Sequence, residues 1–206
     1  MTVMVFAAHP DDEVIGIGGT LAKLGEDEDI VVVIFSYGQK WPFWLSEREI
    51  IRRRVHEAKM AGDIIGVDRT VFLGLSDLKV SDEFNRSTFQ NLKKLFNEVK
   101  PDKVFYHSIQ DGHKDHRFVN RVVEELISRT NVERYTFEIN LWNWFQHKSP
   151  IVLFDVTDTW GKKMRAMNQF KSQSIFINIL RALVVLKSHY YGDKYGYKYV
   201  EVFYKR

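Results

Sequence analysis

His9, Asp11, Asp12 and Glu13 crowd one short stretch, directly behind the apolar run Val3-Met4-Val5-Phe6-Ala7 and directly ahead of Val14-Ile15-Gly16-Ile17-Gly18-Gly19-Thr20-Leu21. A strand therefore ends where a helix begins. The carboxyl ends of strands in parallel α/β sheets are where ligands bind, and like charges this dense call for a cation among them. A second cluster, Asp111-Gly112-His113-Lys114-Asp115-His116-Arg117, follows the strand-like Val104-Phe105-Tyr106. His113 and His116 have the same i, i+3 spacing as His9 and Asp12, which puts each pair on one side of a helical turn. Catalytic zinc takes three protein ligands and an open fourth position, and two histidines with a carboxylate are one such set. The chain has no cysteine, so a metal here must be held by His and carboxylate. The expected set is His9, Asp12 and one of His113 or His116. Asp11 is then the base beside the metal, and the remaining histidine steadies an oxyanion.

The elements that must position these groups alternate along the chain. Residues 2–7 predict a strand, 14–25 a helix closed by Gly25, and the unbroken β-branched run 30–35 a strand buried on both faces. Ser46-Glu47-Arg48-Glu49 has capping-box spacing and opens a helix to about Gly66. Val71-Phe72-Leu73 reads as a strand. Phe89, Leu92, Leu95, Phe96 and Val99 recur at helical spacing before Pro101. A strand at 104–106 and a helix over 116–130 follow. Beyond them come strands near 134–141 and 151–155, helices near 160–171 and 175–188, and a last strand near 199–204. Such alternation predicts a single-domain α/β protein over residues 1–206, a Rossmann-like three-layer sandwich with a mostly parallel sheet.

With 206 residues, 45% of them apolar, the chain can bury a substantial core, and no composition shift marks a linker. The net charge of +3 is spread among both signs rather than gathered into blocks, which argues against nucleic acid as a partner. The N-terminus lacks a basic segment followed by a long apolar one, and no stretch has the roughly 18 apolar residues of a membrane span. A cytoplasmic protein without a membrane span is expected.

The run Ala8-His9-Pro10-Asp11-Asp12-Glu13 before a Gly-rich helix start, with the later His113-Lys114-Asp115-His116, resembles the PIG-L or LmbE-like family of zinc-dependent N-acetylglucosaminyl deacetylases. Arg54-Val55-His56-Glu57-Ala58, Gly66-Val67 and Phe72-Leu73-Gly74 are similar to the family's next helix and strand. Lys163 through Phe170-Lys171-Ser172-Gln173 is similar to a later segment. The resemblance implies one zinc ion held by His9, Asp12 and His116, and Asp11 as the general base on its water. It implies a protonated His113 as oxyanion stabiliser or acid, oriented by Asp115. Arg54 and Asp77 would line the pocket of an amino-sugar substrate. Lys114 stands where the family often has proline.

Other readings attach to the same residues. The ligands alone permit hydrolysis of another ester, such as a phosphoester, or a sugar-binding module without turnover. Gly16-Ile17-Gly18-Gly19 invites a dinucleotide site, but Leu21 stands where the third glycine of that fingerprint belongs. Arg52-Arg53-Arg54 is equally a solvated helix face. His56, His107, His147 and His189 read as structural or exposed rather than catalytic, although His107 ends a strand close to the site. Trp41, Phe43 and Trp44 lean toward the pocket. The apolar stretch from Ile175 to Leu186 reads first as a core helix, with a subunit interface in a homo-oligomer, a substrate-covering lid or a membrane-surface contact as alternatives.

Overall fold

A computed structural model describes residues 1–40, 44–139 and 151–205. Along the chain run β1 (Thr2–Ala7), α1 (Asp12–Leu24), β2 (Asp29–Ser36), α2 (Glu47–Ile64), β3 (Arg69–Leu75), α3 (Val80–Glu83) and α4 (Arg86–Val99). Then come β4 (Lys103–His107), α5 (Lys114–Ile127), β5 (Glu133–Phe137), β6 (Ile151–Asp155), α6 (Trp160–Met167), α7 (Ser174–Tyr195) and β7 (Val200–Lys205). The seven strands form one sheet in the order β3-β2-β1-β4-β5-β7-β6, parallel except for β7, which runs antiparallel to both its neighbours. Among the described residues, the sequence pattern anticipated all seven strands and every α-helix but the four-residue α3; it also missed the 3-10 turn Lys171–Gln173. No described helix is long and apolar enough to cross a membrane.

Side-chain alternation divides the core. Val3, Val5 and Ala7 of β1 pack with Ile30, Val32 and Ile34 of β2 beneath α1, α2, α6 and α7. Met4 and Phe6 pack with Val31, Val33 and Phe35 beneath α3, α4 and α5. Both faces of the parallel strands are thus covered, as the continuous apolar runs require. From β1 the chain winds outward through β2 to β3, then returns to lay β4 on the other side of β1. The crevice between the ends of β1 and β4 is therefore the topological switch point, where this kind of fold opens a ligand site. The His9–Glu13 stretch follows β1 and the His113–His116 stretch follows β4, so topology alone brings the two clusters together.

One helix departs from regularity in a way that bears on the site. α1 kinks at Ile17, whose φ and ψ are −140° and 15°. The kink opens the hydrogen bond that Gly19 N–H would donate to Ile15 C=O. Buried Lys163 donates from Nζ to Ile15 O at 2.8 Å, and buried Glu201 accepts from Gly19 N at 2.9 Å and Thr20 N at 2.7 Å. Lys163 and Glu201 then pair with each other at 2.5 Å, so a single ion pair satisfies both freed backbone groups and ties α1 to α6 and β7.

Ahead of the kink the helix meets β5 closely. A Cβ on Gly16 would lie 2.4 Å from Phe137 Cδ2, and that ring is fully buried. Gly16→Ala is expected to destabilise the fold by about 1–3 kcal/mol, the cost of forcing an extra carbon into a filled core. Urea unfolding followed by circular dichroism measures it, and an unchanged midpoint would refute this account of the packing.

Candidate active site and metal centre

The turn between β1 and α1 is bent at Asp11, whose φ is 131° and ψ −27°. A residue other than glycine held there stores about 1–3 kcal/mol of backbone strain. Three groups hold it. Asp11 N–H donates to Glu13 Oε2 at 3.2 Å, and its carbonyl accepts from Val14 N at 3.0 Å and Ile15 N at 2.8 Å, starting the helix. Arg54 reaches across from α2, donating from Nη2 to Pro10 O at 2.6 Å and Asp11 Oδ2 at 3.0 Å, and from Nη1 to Gly38 O at 3.0 Å. The bend separates two neighbouring carboxylates: Asp11 turns toward Arg54, and Asp12 turns toward the histidines.

Asp12 Oδ2 accepts the N–H of His9 at 2.8 Å and lies 3.1 Å from His107 Nε2. It also lies 3.5 Å from His9 Nδ1 and 3.4 Å from His116 Nε2. Zinc bonds to nitrogen and oxygen are about 2.0–2.1 Å long, and at tetrahedral angles this sets donor atoms about 3.3–3.4 Å apart. The two measured edges, Asp12 to His9 and Asp12 to His116, match that spacing. Donor atoms of His9, His113 and His116 lie within 4.8 Å of one another, as do those of Asp12, His107 and His116, and those of His9, Asp77 and Asp115.

The outward nitrogens of both candidate ligands are flanked by acids. Asp77 Oδ1 and Asp115 Oδ2 lie 3.2 and 3.4 Å from His9 Nε2, and Asp111 Oδ1 lies 2.9 Å from His116 Nδ1. Carboxylates behind a histidine fix its orientation and raise its basicity toward a metal. These contacts are close but bent, and the buried His9 Nε2 and His116 Nδ1 complete no well-aligned hydrogen bond. Titration follows the same pattern. Burial by itself would lower His116, but Asp12 and Asp111 outweigh it and hold the imidazole at about 9. Burial would raise Asp12, yet His116 and His107 keep it well below the usual carboxylate range. Burial is also the largest influence on Asp11, and it pushes that carboxyl up to about 6 against the pull of Arg54. Glu13 is driven by burial to about 8.

His113 is the N-cap of α5 and lies half-way between the ligands and open space. Its Nδ1 accepts the N–H of Asp115 at 3.2 Å. An imidazole that accepts at Nδ1 carries its proton on Nε2, so this is a neutral ring with one N–H to offer. Burial and the nearby cationic histidines His116 and His9 push its pKa down, in the same direction. Above the cluster opens a cavity of about 890 Å³, lined by His9, Asp11, Asp12, Arg54, Asp77 and His113 on its polar side and by residues of α7 on the other.

Comparison with known proteins gives this arrangement a context. Residues 4–127 match the family model described as PIG-L, GlcNAc-PI de-N-acetylase. The chain belongs to the PIG-L family. A diacetylchitobiose deacetylase of Thermococcus kodakarensis is 24% identical over 221 aligned positions, covering 97% of this chain and 80% of that one. The N,N'-diacetylchitobiose deacetylase structure from Pyrococcus horikoshii superposes with a TM-score of 0.83 at 22% identity, covering 100% of this chain and 83% of the other. GalB, a 4-carboxy-2-hydroxymuconate hydratase from Pseudomonas putida KT2440, superposes with a TM-score of 0.85 at 21% identity, covering 99% and 95%. A deacetylase and a hydratase on one backbone show that the fold does not choose the reaction.

Within this PIG-L fold the residues singled out from sequence fall as follows. His9, Asp11, Asp12, His113 and His116 converge on one cavity floor, with Arg54 and Asp77 in its wall. One role changes. Asp115 touches His113 through its backbone N–H alone, and its carboxylate lies against His9 while accepting Leu78 N at 3.0 Å. His113 Nδ1 accepts a backbone N–H, and burial with His116 and His9 pushes its pKa down. Of the arginine run, Arg52 and Arg53 are exposed and pair with Glu49, whereas Arg54 is 4% exposed and pinned to the Asp11 turn. His107 was read as structural, yet it is fully buried, held at about 4 chiefly by burial, and stacked on His116 with ring centroids 3.9 Å apart. Its place at the end of β4, the strand beside β1, was the available signal. Asp111, quoted only as part of the second cluster, braces His116. His56 is exposed, and His189 sits against Tyr199. Trp44 is 63% exposed and does not line the cavity, while Trp41, Phe43 and His147 lie outside the described residues.

Proposed function

We propose that the protein is a zinc-dependent N-deacetylase that removes the acetyl group from an N-acetylglucosamine-containing sugar or conjugate, with His9, Asp12 and His116 holding the metal. One observation carries the reading: Asp12 Oδ2 stands at ligand-edge distance from both His9 Nδ1 and His116 Nε2, next to a buried Asp11, on the floor of a large cavity. Membership of the PIG-L family and the diacetylchitobiose deacetylases among its relatives support the acetamide as the bond cleaved. When bound, the metal supplies a Lewis acid for the amide carbonyl and makes water a competent nucleophile near neutral pH.

The chain's own groups do the rest. Arg54 fixes Asp11 Oδ2, which leaves Oδ1 to take the proton of the attacking water. The neutral His113 donates its Nε2–H to the oxygen that becomes negative as the carbonyl turns tetrahedral. Asp11, now protonated, passes that proton to the departing amine, which His113 with a single proton cannot do without becoming anionic. The apolar far wall excludes water and strengthens each of these interactions.

Acetate release by the zinc-loaded protein from a panel of N-acetylglucosamine conjugates tests the reading. Turnover of phosphoesters without release of acetate would overturn it, and so would binding of the sugars with no turnover at all.

A further inference from the structure

The cavity has two unlike sides. Its floor and one wall carry acids and histidines, which suit a sugar's hydroxyl and acetamido groups. The opposite wall is a stripe of α7 formed by Phe176, Leu180 and Leu183, spaced i, i+4 and i+7, which offers no hydrogen bond. Phe176 stays 47% exposed at the mouth, and the neighbouring stripe carries Ile175 at 61% and Ile179 at 57% exposure, so the apolar surface continues outward from the site. At about 890 Å³ the volume lies near the top of the roughly 300–1,000 Å³ typical of sites for drug-sized ligands, more than one acetamido sugar fills.

Charge narrows the occupant. Apart from the histidines, Arg54 is the only cation among the described lining residues, and both its terminal nitrogens are engaged with Pro10 O, Asp11 and Gly38 O. Among the described lining residues, a phosphate on the substrate would be repelled by Asp11, Asp12, Asp77 and Asp111, whereas an uncharged sugar would not.

We propose that the substrate is an uncharged N-acetylglucosaminide with an apolar aglycone, received by Phe176, Leu180 and Leu183. The proposal rests on the deacetylase reading above and names the substrate class of that same site. It is tested with the zinc-loaded protein on methyl N-acetylglucosaminide, octyl N-acetylglucosaminide below its micellar concentration, and N-acetylglucosamine 1-phosphate. The octyl glycoside is expected to exceed the methyl one in kcat/KM by about 10–100-fold, mainly through KM, as a few half-buried methylenes allow. The 1-phosphate is expected to fall below both. Phe176→Ser and Leu183→Gln should each bring the octyl-to-methyl ratio toward one.

Equal rates on the two glycosides, a preference for the 1-phosphate, or variants that slow both glycosides alike would overturn the proposal. If no compound releases acetate, the deacetylase reading fails instead. Titration calorimetry with the same three compounds then decides the present point: tighter binding of the octyl glycoside supports it, and equal binding refutes it.

Discussion

Asp11→Asn is expected to keep its metal and lose about 10²–10⁴-fold in kcat, the usual contribution of a positioned general base. The substitution is nearly isosteric, so the bent turn survives: Glu13 still accepts the backbone N–H, and Arg54 still holds Pro10 O. What disappears is the lone pair that removes a proton from water and the acid that returns it to the amine. The pH profile offers a second reading of the same residue. Burial places the Asp11 carboxyl at about 6, and a cation bound beside it can only favour the ionised form. The base is active when deprotonated, so kcat/KM should fall as pH drops through a value at or below about 6, and that acidic limb should vanish in the variant. Zinc content by metal analysis together with acetate-release kinetics checks both points. A variant that retains parental turnover would remove Asp11 from the mechanism.

How far the sequence reveals this site depends on what kind of information each part needs. Strands such as Val31–Phe35 and helices such as Arg86–Val99 are legible because burial imposes a period on residue type. The pairing of the two histidine clusters is legible as well, since both follow strands and a parallel sheet gathers such ends on one edge. The conformation of Asp11 is not. Nothing in the types His-Pro-Asp-Asp-Glu announces a positive φ, because the strain is held in place by Arg54 from a helix 43 positions on. The carboxylate of Asp115 likewise points to His9 rather than to its sequence neighbour His113, a choice made by the packing of Leu78 against the start of α5. His107 is legible only in part: its place at the end of a strand near the site shows in the sequence, but only the register of β4 against β1 sets it beside Asp12. The stretch 175–186 reads as core by composition, but exposure of Ile175, Ile179 and Leu186 shows that α7 buries only part of its circumference.

Asp12→Asn should fail in a different way from its neighbour. Asp12 Oδ2 receives the His9 N–H and faces His9, His107 and His116, all within 3.5 Å, so its charge organises every candidate ligand at once. An amide can satisfy the His9 N–H through its oxygen but brings no charge to offset a divalent ion in a buried site. His116, held at about 9 by Asp12 together with Asp111 against burial, would lose one of the two acids that set its basicity. We expect zinc affinity to fall by more than about 10²-fold, beyond the 10–100-fold usual when a group that only braces a ligand is lost. Asp111→Asn, which removes such a brace behind His116, supplies the comparison within that smaller range. Chelator competition followed by metal analysis measures all three variants, with circular dichroism confirming that each is folded. The two adjacent aspartates would then separate cleanly, Asp11→Asn metal-replete and slow, Asp12→Asn metal-poor. A metal-replete Asp12→Asn protein would place the ion among His9, Asp77 and Asp115 instead, the other group of donors that His9 can reach.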